Sequence, residues 1–203
     1  MNSLLAIVSF VKNKPITFFI KIQNTMSLFR SKVDYEKDVT FNGTVYISSL
    51  GYLKIGHNCT VNSGKSHTPI GGDTVTRLIV KKGAKLEIGN NVGISNSTIY
   101  CTVGISIQDN VLIGGGTKIW DTDFHSLDPI ARVFKGDTEI KSRPITIESS
   151  VFIGGSSIIL KGVTIGKNSI VGAGSVVTKS IPSNEIWAGN PAKFIRKIGE
   201  AIK

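Results

Sequence analysis

Residues 145–182 read "ITIESSVFIGGSSIILKGVTIGKNSIVGAGSVVTKSIP", and in them Ile147, Ile153, Ile159, Ile165, Val171 and Val177 recur every six residues without a slip. Gly154, Gly166 and Gly172 directly follow three of these. Val151, Ser157, Val163, Ser169 and Ser175 stand two before five of them. A period of six fits neither a helix nor a simple alternating strand with hairpin turns. It fits short strands joined by tight corners. One aliphatic side chain per hexad turns inward, and Gly, Asn or Ser supplies the corner backbone. Three hexads close one triangular coil. Stacked coils bury a column of Ile and Val, and each coil pairs its backbone with the coils above and below. The predicted fold class is an all-β parallel β-helix, in which most Ile, Val and Gly residues are scaffold.

The pattern extends upstream. Cys101, Ile107, Ile113 and Ile119 keep the spacing, whereas Ile88 and Ile94 keep it one residue out of phase, so an extra residue must be absorbed between 95 and 101. Ile55 and Val61 begin an earlier run that "NSGKSHTPIGGDTVTRL" (62–78) interrupts. The ladder stops at Ile119 and resumes at Ile145. The 25 residues between, "WDTDFHSLDPIARVFKGDTEIKSRP", are too many for a corner and predict a projecting loop.

Bulk properties agree with this reading. The 203 residues suit one domain with a small appendage: an N-terminal amphipathic helical segment (1–32), a coil (33–185) with the loop 120–144, and a tail (186–203). Hydrophobic residues make up 40% but aromatics only 7%, and 22 residues are Gly, which calls for thin aliphatic layers. The net charge is +10, concentrated at Lys12, Lys14, Lys21, Arg30 and Lys32, and again at Lys193, Arg196, Lys197 and Lys203. No nucleic-acid-binding motif accompanies these cations, so the charge points to an anionic ligand or surface. Cys59 and Cys101 have no CxxC partner and read as reduced thiols of a cytoplasmic protein. The apolar run Leu4–Val11 is too short to span a bilayer. Packing of the N-terminal helix on protein is the favoured reading; peripheral contact with an anionic membrane is the alternative.

His125 is the chemical candidate in the loop. An imidazole can take and return a proton near neutral pH. Asp121, Asp123 and Asp128 surround it, but no second histidine is near, since the others are His57 and His67. No metal is predicted. The aspartates read as loop-shaping residues, with Asp128–Pro129 as a turn.

Four stretches carry a resemblance: "IQDNVLIGGGTKI" (107–119), "DFHSLDP" (123–129), the repeat at 143–182 and "WAGNPAKFIRKI" (187–198). Together they resemble the hexapeptide-repeat, left-handed β-helix acetyltransferases, most of all those acting on galactosides, maltose and surface polysaccharides. The resemblance implies a left-handed coil with an N-terminal helical segment and a short C-terminal helix. It implies an acetyl-CoA-dependent O-acetyltransferase acting on a sugar, in a homotrimer whose loop walls a site shared with a neighbouring subunit. It implies His125 as general base. Glu139 is its expected partner, with Asp123 the local alternative and a possible acceptor contact. It implies Gly155 as an oxyanion donor, Ala173, Thr178 and Lys179 along the pantetheine arm, and Lys193 and Arg196 at the CoA phosphates. Asn96 or Ser97 is the expected acceptor contact. Phe152 stands where many relatives have Trp, so ring packing survives without an indole N–H. Acetylation of an amino sugar nitrogen and a non-catalytic scaffold are the rival readings.

Overall fold

The computed structural model describes residues 17–68 and 74–200. The run Leu4–Val11, the centre of the 62–78 interruption and Lys203 lie outside the described residues.

The hexads fold into three sheets that form the sides of a prism. Sheet A stacks Asp34–Tyr35, Tyr52–Ile55, Lys85–Ile88, Gly104–Ile107, Ile145–Ile147 and Thr164–Ile165. Sheet B stacks Thr40–Asn42, Thr60–Asn62, Gly93–Ser95, Leu112–Ile113, Phe152–Ile153, Ile170–Val171, Glu185–Ala188 and Lys193–Lys197. Sheet C stacks Tyr46–Ser49, Arg77–Val80, Thr98–Cys101, Lys118–Trp120, Ile158–Ile159 and Val176–Val177. The chain runs A, B, C in each coil, so every pairing within the coils is parallel. Ile55, Ile88, Ile107, Ile147 and Ile165 form the inner column of sheet A; Val61, Ile94, Ile113, Ile153 and Val171 form that of sheet B. All ten are buried, as the six-residue period requires.

Sheet C corrects the predicted register. Its inner column is Leu78, Ile99, Ile119, Ile159 and Val177, so Ile99 and not Cys101 follows Ile94. Cys101 lies two residues further along the same strand. Strand side chains alternate with period two, so both Ile99 and Cys101 point inward. The extra length is spent at the next corner, Thr102–Val103. Burial, helped by the nearby Asp121 carboxylate, pushes the Cys101 thiol up to about 12, so it is inert scaffold rather than a nucleophile.

The A/B edge is a second repeat. Asn58, Asn91, Asn110, Ser150, Asn168 and Asn184 all adopt positive φ, between 54° and 63°. Asparagine tolerates that region better than most residues. Its amide also bonds along the edge: Asn58 donates to Asn91 at 2.9 Å, Asn91 to Asn110 at 3.0 Å, and Asn168 to Asn184 at 2.8 Å. Ser150 interrupts the ladder. Ser150→Asn is therefore expected to raise stability by about 0.5–1 kcal/mol, through a better left-handed residue and restored amide bonds. A denaturation midpoint equal to or below the parent's would refute this.

The two ends differ from each other. Residues 17–30 form helix α1, which caps the first coil. Leu28 enters the core, and the Asn24 side chain donates to Gly43 O at 2.9 Å and accepts from Val45 N at 3.1 Å. At the other end the expected short helix is instead a β-hairpin. Glu185–Ala188 adds in parallel to Ile170–Val171, then Lys193–Lys197 turns back antiparallel. Gly189 and Pro191 break any helix there, and Ile186 and Trp187 find open backbone partners on the last coil.

Candidate active site

The loop leaves sheet C after Trp120 and returns to sheet A at Ile145, so it projects from the C/A edge. Asp121 roots it. This residue is fully buried; its Oδ1 accepts from Thr102 N and Thr102 Oγ1, each at 2.7 Å, and its Oδ2 from Val103 N and Gly104 N, each at 2.8 Å. A buried carboxylate is tolerated because several donors are aimed at it. The loop's arms then pair: Thr122 bridges Ser142, and Asp123 N donates to Lys141 O at 3.1 Å.

Asp123 turns toward the coil and forms an ion pair with Lys161. It is thus neither the partner of His125 nor free toward solvent, although its Oδ2 is buried without a hydrogen bond. Phe124 follows at φ 64°, an unusual conformation for a bulky residue. Its ring lies 4.9 Å from Tyr100 and 5.5 Å from Trp120, which holds the turn that presents His125.

Beyond His125, Asp128 caps helix α2 (Pro129–Phe134) by accepting from Ile130 N at 2.9 Å, with Pro129 in the first turn. Arg132 reaches back to Ser126 O at 2.7 Å, and Asp137 N donates to Ala131 O at 3.0 Å. This short helix folds the loop on itself and brings Asp137 to His125. His125 Nδ1 lies 2.5 Å from Asp137 Oδ2, and Ser126 N donates to Asp137 Oδ1 at 2.8 Å. The Ser126 N–H first, and the imidazole second, hold the Asp137 carboxyl below its usual range. Asp137 is therefore an acceptor at neutral pH. It keeps the proton on Nδ1 and leaves Nε2 of the exposed ring as the basic atom.

Within this chain the geometry brings Asp137, not the expected partner Glu139, to His125. Glu139 is exposed, sits at φ 67°, and makes no hydrogen bond or ion pair with any described residue. Two residues of chain turn it away from the ring that Asp137 meets. The signal for Asp137 was in the sequence: "DP" starts a helix, "KG" ends it, and the next residue is the acid.

The expected donor-side residues fall into three groups. Gly155 and Ala173 lie on the B/C edge. Among the described residues, neither backbone N–H has an acceptor. The corners there stack so closely that a Cβ on Gly154 would sit 2.5 Å from Ala173 N. Thr178 and Lys179 are exposed on the C/A edge, after the last strand of sheet C. Lys193 and Arg196 lie on the terminal hairpin, where Arg196 also bonds Glu200 O at 2.7 Å. Phe152 faces outward on sheet B, 45% exposed, beside Leu112 and Ile170. One chain does not gather these groups into one cleft, because they lie on two edges of the prism and on the terminal hairpin. Asn96 and Ser97 are buried corner residues of the B/C edge. Asn96 Oδ1 accepts from Gly64 N at 2.7 Å, and Ser97 Oγ donates to Ser95 O at 2.8 Å. Among the described residues no group of His, Cys, Asp and Glu is placed to hold a metal ion.

Comparison with known proteins agrees with this architecture. Residues 144–179 match the hexapeptide repeat of succinyl-transferase. A hexapeptide-repeat-containing acetyltransferase from Vibrio cholerae O1 biovar eltor, solved with acetyl coenzyme A, is 32% identical, over 72% of this chain and 71% of that one, at a TM-score of 0.58. The chain belongs to the hexapeptide-repeat acetyltransferases. A galactoside acetyltransferase in complex with coenzyme A is 30% identical, over 86% of this chain and 70% of that one, at a TM-score of 0.55. The polySia-specific acetyltransferase NeuO is 27% identical, over 84% of this chain and 69% of that one, at a TM-score of 0.65. As a hexapeptide-repeat acetyltransferase the chain is an acyltransferase built on a left-handed parallel β-helix, with hand and reaction class coming together.

Proposed function

We propose that the protein transfers an acetyl group from acetyl-CoA to a sugar hydroxyl, with His125 as general base. The observation that carries this is the His125–Asp137 pair, exposed on a projecting loop of an acetyltransferase coil. The acceptor oxygen attacks the thioester carbonyl carbon while its proton passes to His125 Nε2. Asp137 stabilises the imidazolium that forms. The developing oxyanion is met by the Gly155 N–H. Collapse breaks the carbon–sulfur bond, and the imidazolium returns the proton to the leaving CoA thiolate. The thioester is already activated, so no acyl-enzyme is needed.

The donor lies along Ala173, Thr178 and Lys179, with Lys193 and Arg196 at its phosphates, where cations and free N–H groups suit an anionic ligand. The site is completed by neighbouring copies in a homotrimer. Two observations support that assembly: the donor-side groups sit on different edges, and the loop exposes Leu127, Ile130 and Phe134 at 71, 57 and 82%. A saccharide acceptor is supported by relatives named for galactosides, polySia and maltose. The reaction is read as cytoplasmic, where acetyl-CoA is made.

The test is a screen of saccharides with free-thiol release as readout, followed by treatment of the product with hydroxylamine. Release with an ester product supports the proposal. A hydroxylamine-stable amide would replace it with amino-sugar N-acetylation. Absence of both turnover and thermal stabilisation by CoA would leave a scaffold.

A further inference from the structure

Helix α1 has one buried side and one exposed apolar side. With about 100° of turn per residue and Phe18 as origin, the buried Asn24, Leu28 and Ser31 fall at roughly 220–280°. That side seals the first coil. The opposite side, at roughly 0–100°, carries Phe18, Phe19, Ile22, Met26 and Phe29. These five are exposed by 63, 71, 41, 47 and 83%. The stripe has a cation at each border: Lys21 at roughly 300° and Arg30 at roughly 120°. A groove of about 550 Å³ between the helix and Ile47 continues the apolar surface along the Arg30 border. A helix that only needed to close the coil would show water a polar outer side.

We infer that this outer face of α1 docks on an anionic lipid surface. Charge selects the occupant. The first 32 residues hold Lys12, Lys14, Lys21, Arg30 and Lys32, and the first acid of the chain is Asp34. A second copy facing this surface would bring like charges together across the apolar contact. Residues 1–16 would add two more cations and no acid. An interface of anionic headgroups over acyl chains satisfies both parts: the phenylalanines enter the hydrocarbon boundary, and Lys21 and Arg30 extend along it to the phosphates. Asn24 donates to Gly43 O and accepts from Val45 N, and Ser27 and Ser31 donate to Ile47 O, which holds the helix on the coil and presents the face rigidly. The lipid surface would meet the first coil, at the end opposite the terminal hairpin. An acceptor glycan held at a bilayer would then be brought within reach of the enzyme.

The experiment is flotation of the full-length protein with phosphatidylcholine vesicles, plain or containing about 30% phosphatidylglycerol. Recovery on the anionic vesicles is expected to exceed that on plain ones by about tenfold, and to fall when salt shortens the reach of the charges. Phe18→Ser with Phe29→Ser, and separately Lys21→Gln with Arg30→Gln, should each return recovery to the plain-vesicle level. The second pair leaves every apolar contact in place, and circular dichroism checks that both variants fold. Equal recovery on both vesicles, no recovery on either, or recovery indifferent to both variants would overturn the inference. So would a doubling of assembly mass in solution that Phe29→Ser reverses, which would make the face an interface between copies. The readout uses neither CoA nor sugar, so it fails or succeeds separately from the proposed reaction.

Discussion

Replacing His125 with alanine is expected to lower acetyl transfer by about 1000-fold, the scale of a lost general base. CoA binding should survive, because none of the donor-side groups touches the imidazole. Thermal stabilisation by CoA measures that directly. The companion variants test the partner. Asp137→Asn keeps the shape but offers Nδ1 a poorer acceptor and weakens the hold on the tautomer, so a loss of about 100-fold in kcat is expected. Glu139→Gln should stay within about threefold, since that side chain bonds nothing among the described residues. Substantial turnover in His125→Ala would remove the general-base role. A larger loss in Glu139→Gln than in Asp137→Asn would return the partnership to Glu139.

The largest stability effect is expected at Asp121, away from the chemistry. Asp121→Ala would orphan three backbone N–H groups, those of Thr102, Val103 and Gly104, beneath the root of the loop. A fully buried unpaired group costs about 1–3 kcal/mol; these bonds are only partly buried and Val103 is 45% exposed, so a loss of about 3 kcal/mol is expected for the three together. For a chain of this size that corresponds to roughly 10 °C in Tm. Asp121→Asn should fall between, because its amide keeps one acceptor but turns a donor toward other donors. A Tm within about 2 °C of the parent in Asp121→Ala would show that water or backbone movement satisfies these groups. Activity should fall with stability in these variants, since the arm that carries His125 starts at this residue.

The contrast between His125 and its partner shows how far a one-dimensional reading reaches. The histidine was visible because it stands where a six-residue ladder is abandoned. Its partner was not singled out, because the helix signals around Pro129 and Gly136 place a turn but do not say which acid beyond it meets the ring. Helix α2 spends six residues to reverse the chain, and this selects Asp137 over the equally acidic Glu139 two positions later. A similar limit applied at Cys101. Spacing alone could not tell one inward residue per strand from two, so the slip was read at Cys101 when the column runs through Ile99. The C-terminal segment is a third case. The resemblance implied a short helix, but Gly189 and Pro191 oppose one, the open edge of sheet B offered unpaired backbone, and hydrogen bonding to that edge made a hairpin.

By itself, the sequence determined the coil, the inner columns of sheets A and B, the place where the coil is interrupted and the residue best suited to proton transfer. All of these follow from local periodicity, because a coil repeats the same short-range geometry. The tertiary structure decided the jobs of residues that look alike. In "WDTDFHSLDP" three aspartates stand within eight positions, 121 to 128. One, itself buried, holds a corner of the coil, one pairs with Lys161, and one caps a helix, while the acid that holds the histidine lies outside the stretch altogether. Those roles depend on which donors each carboxylate meets, and donors from distant coils become neighbours only when the prism is stacked.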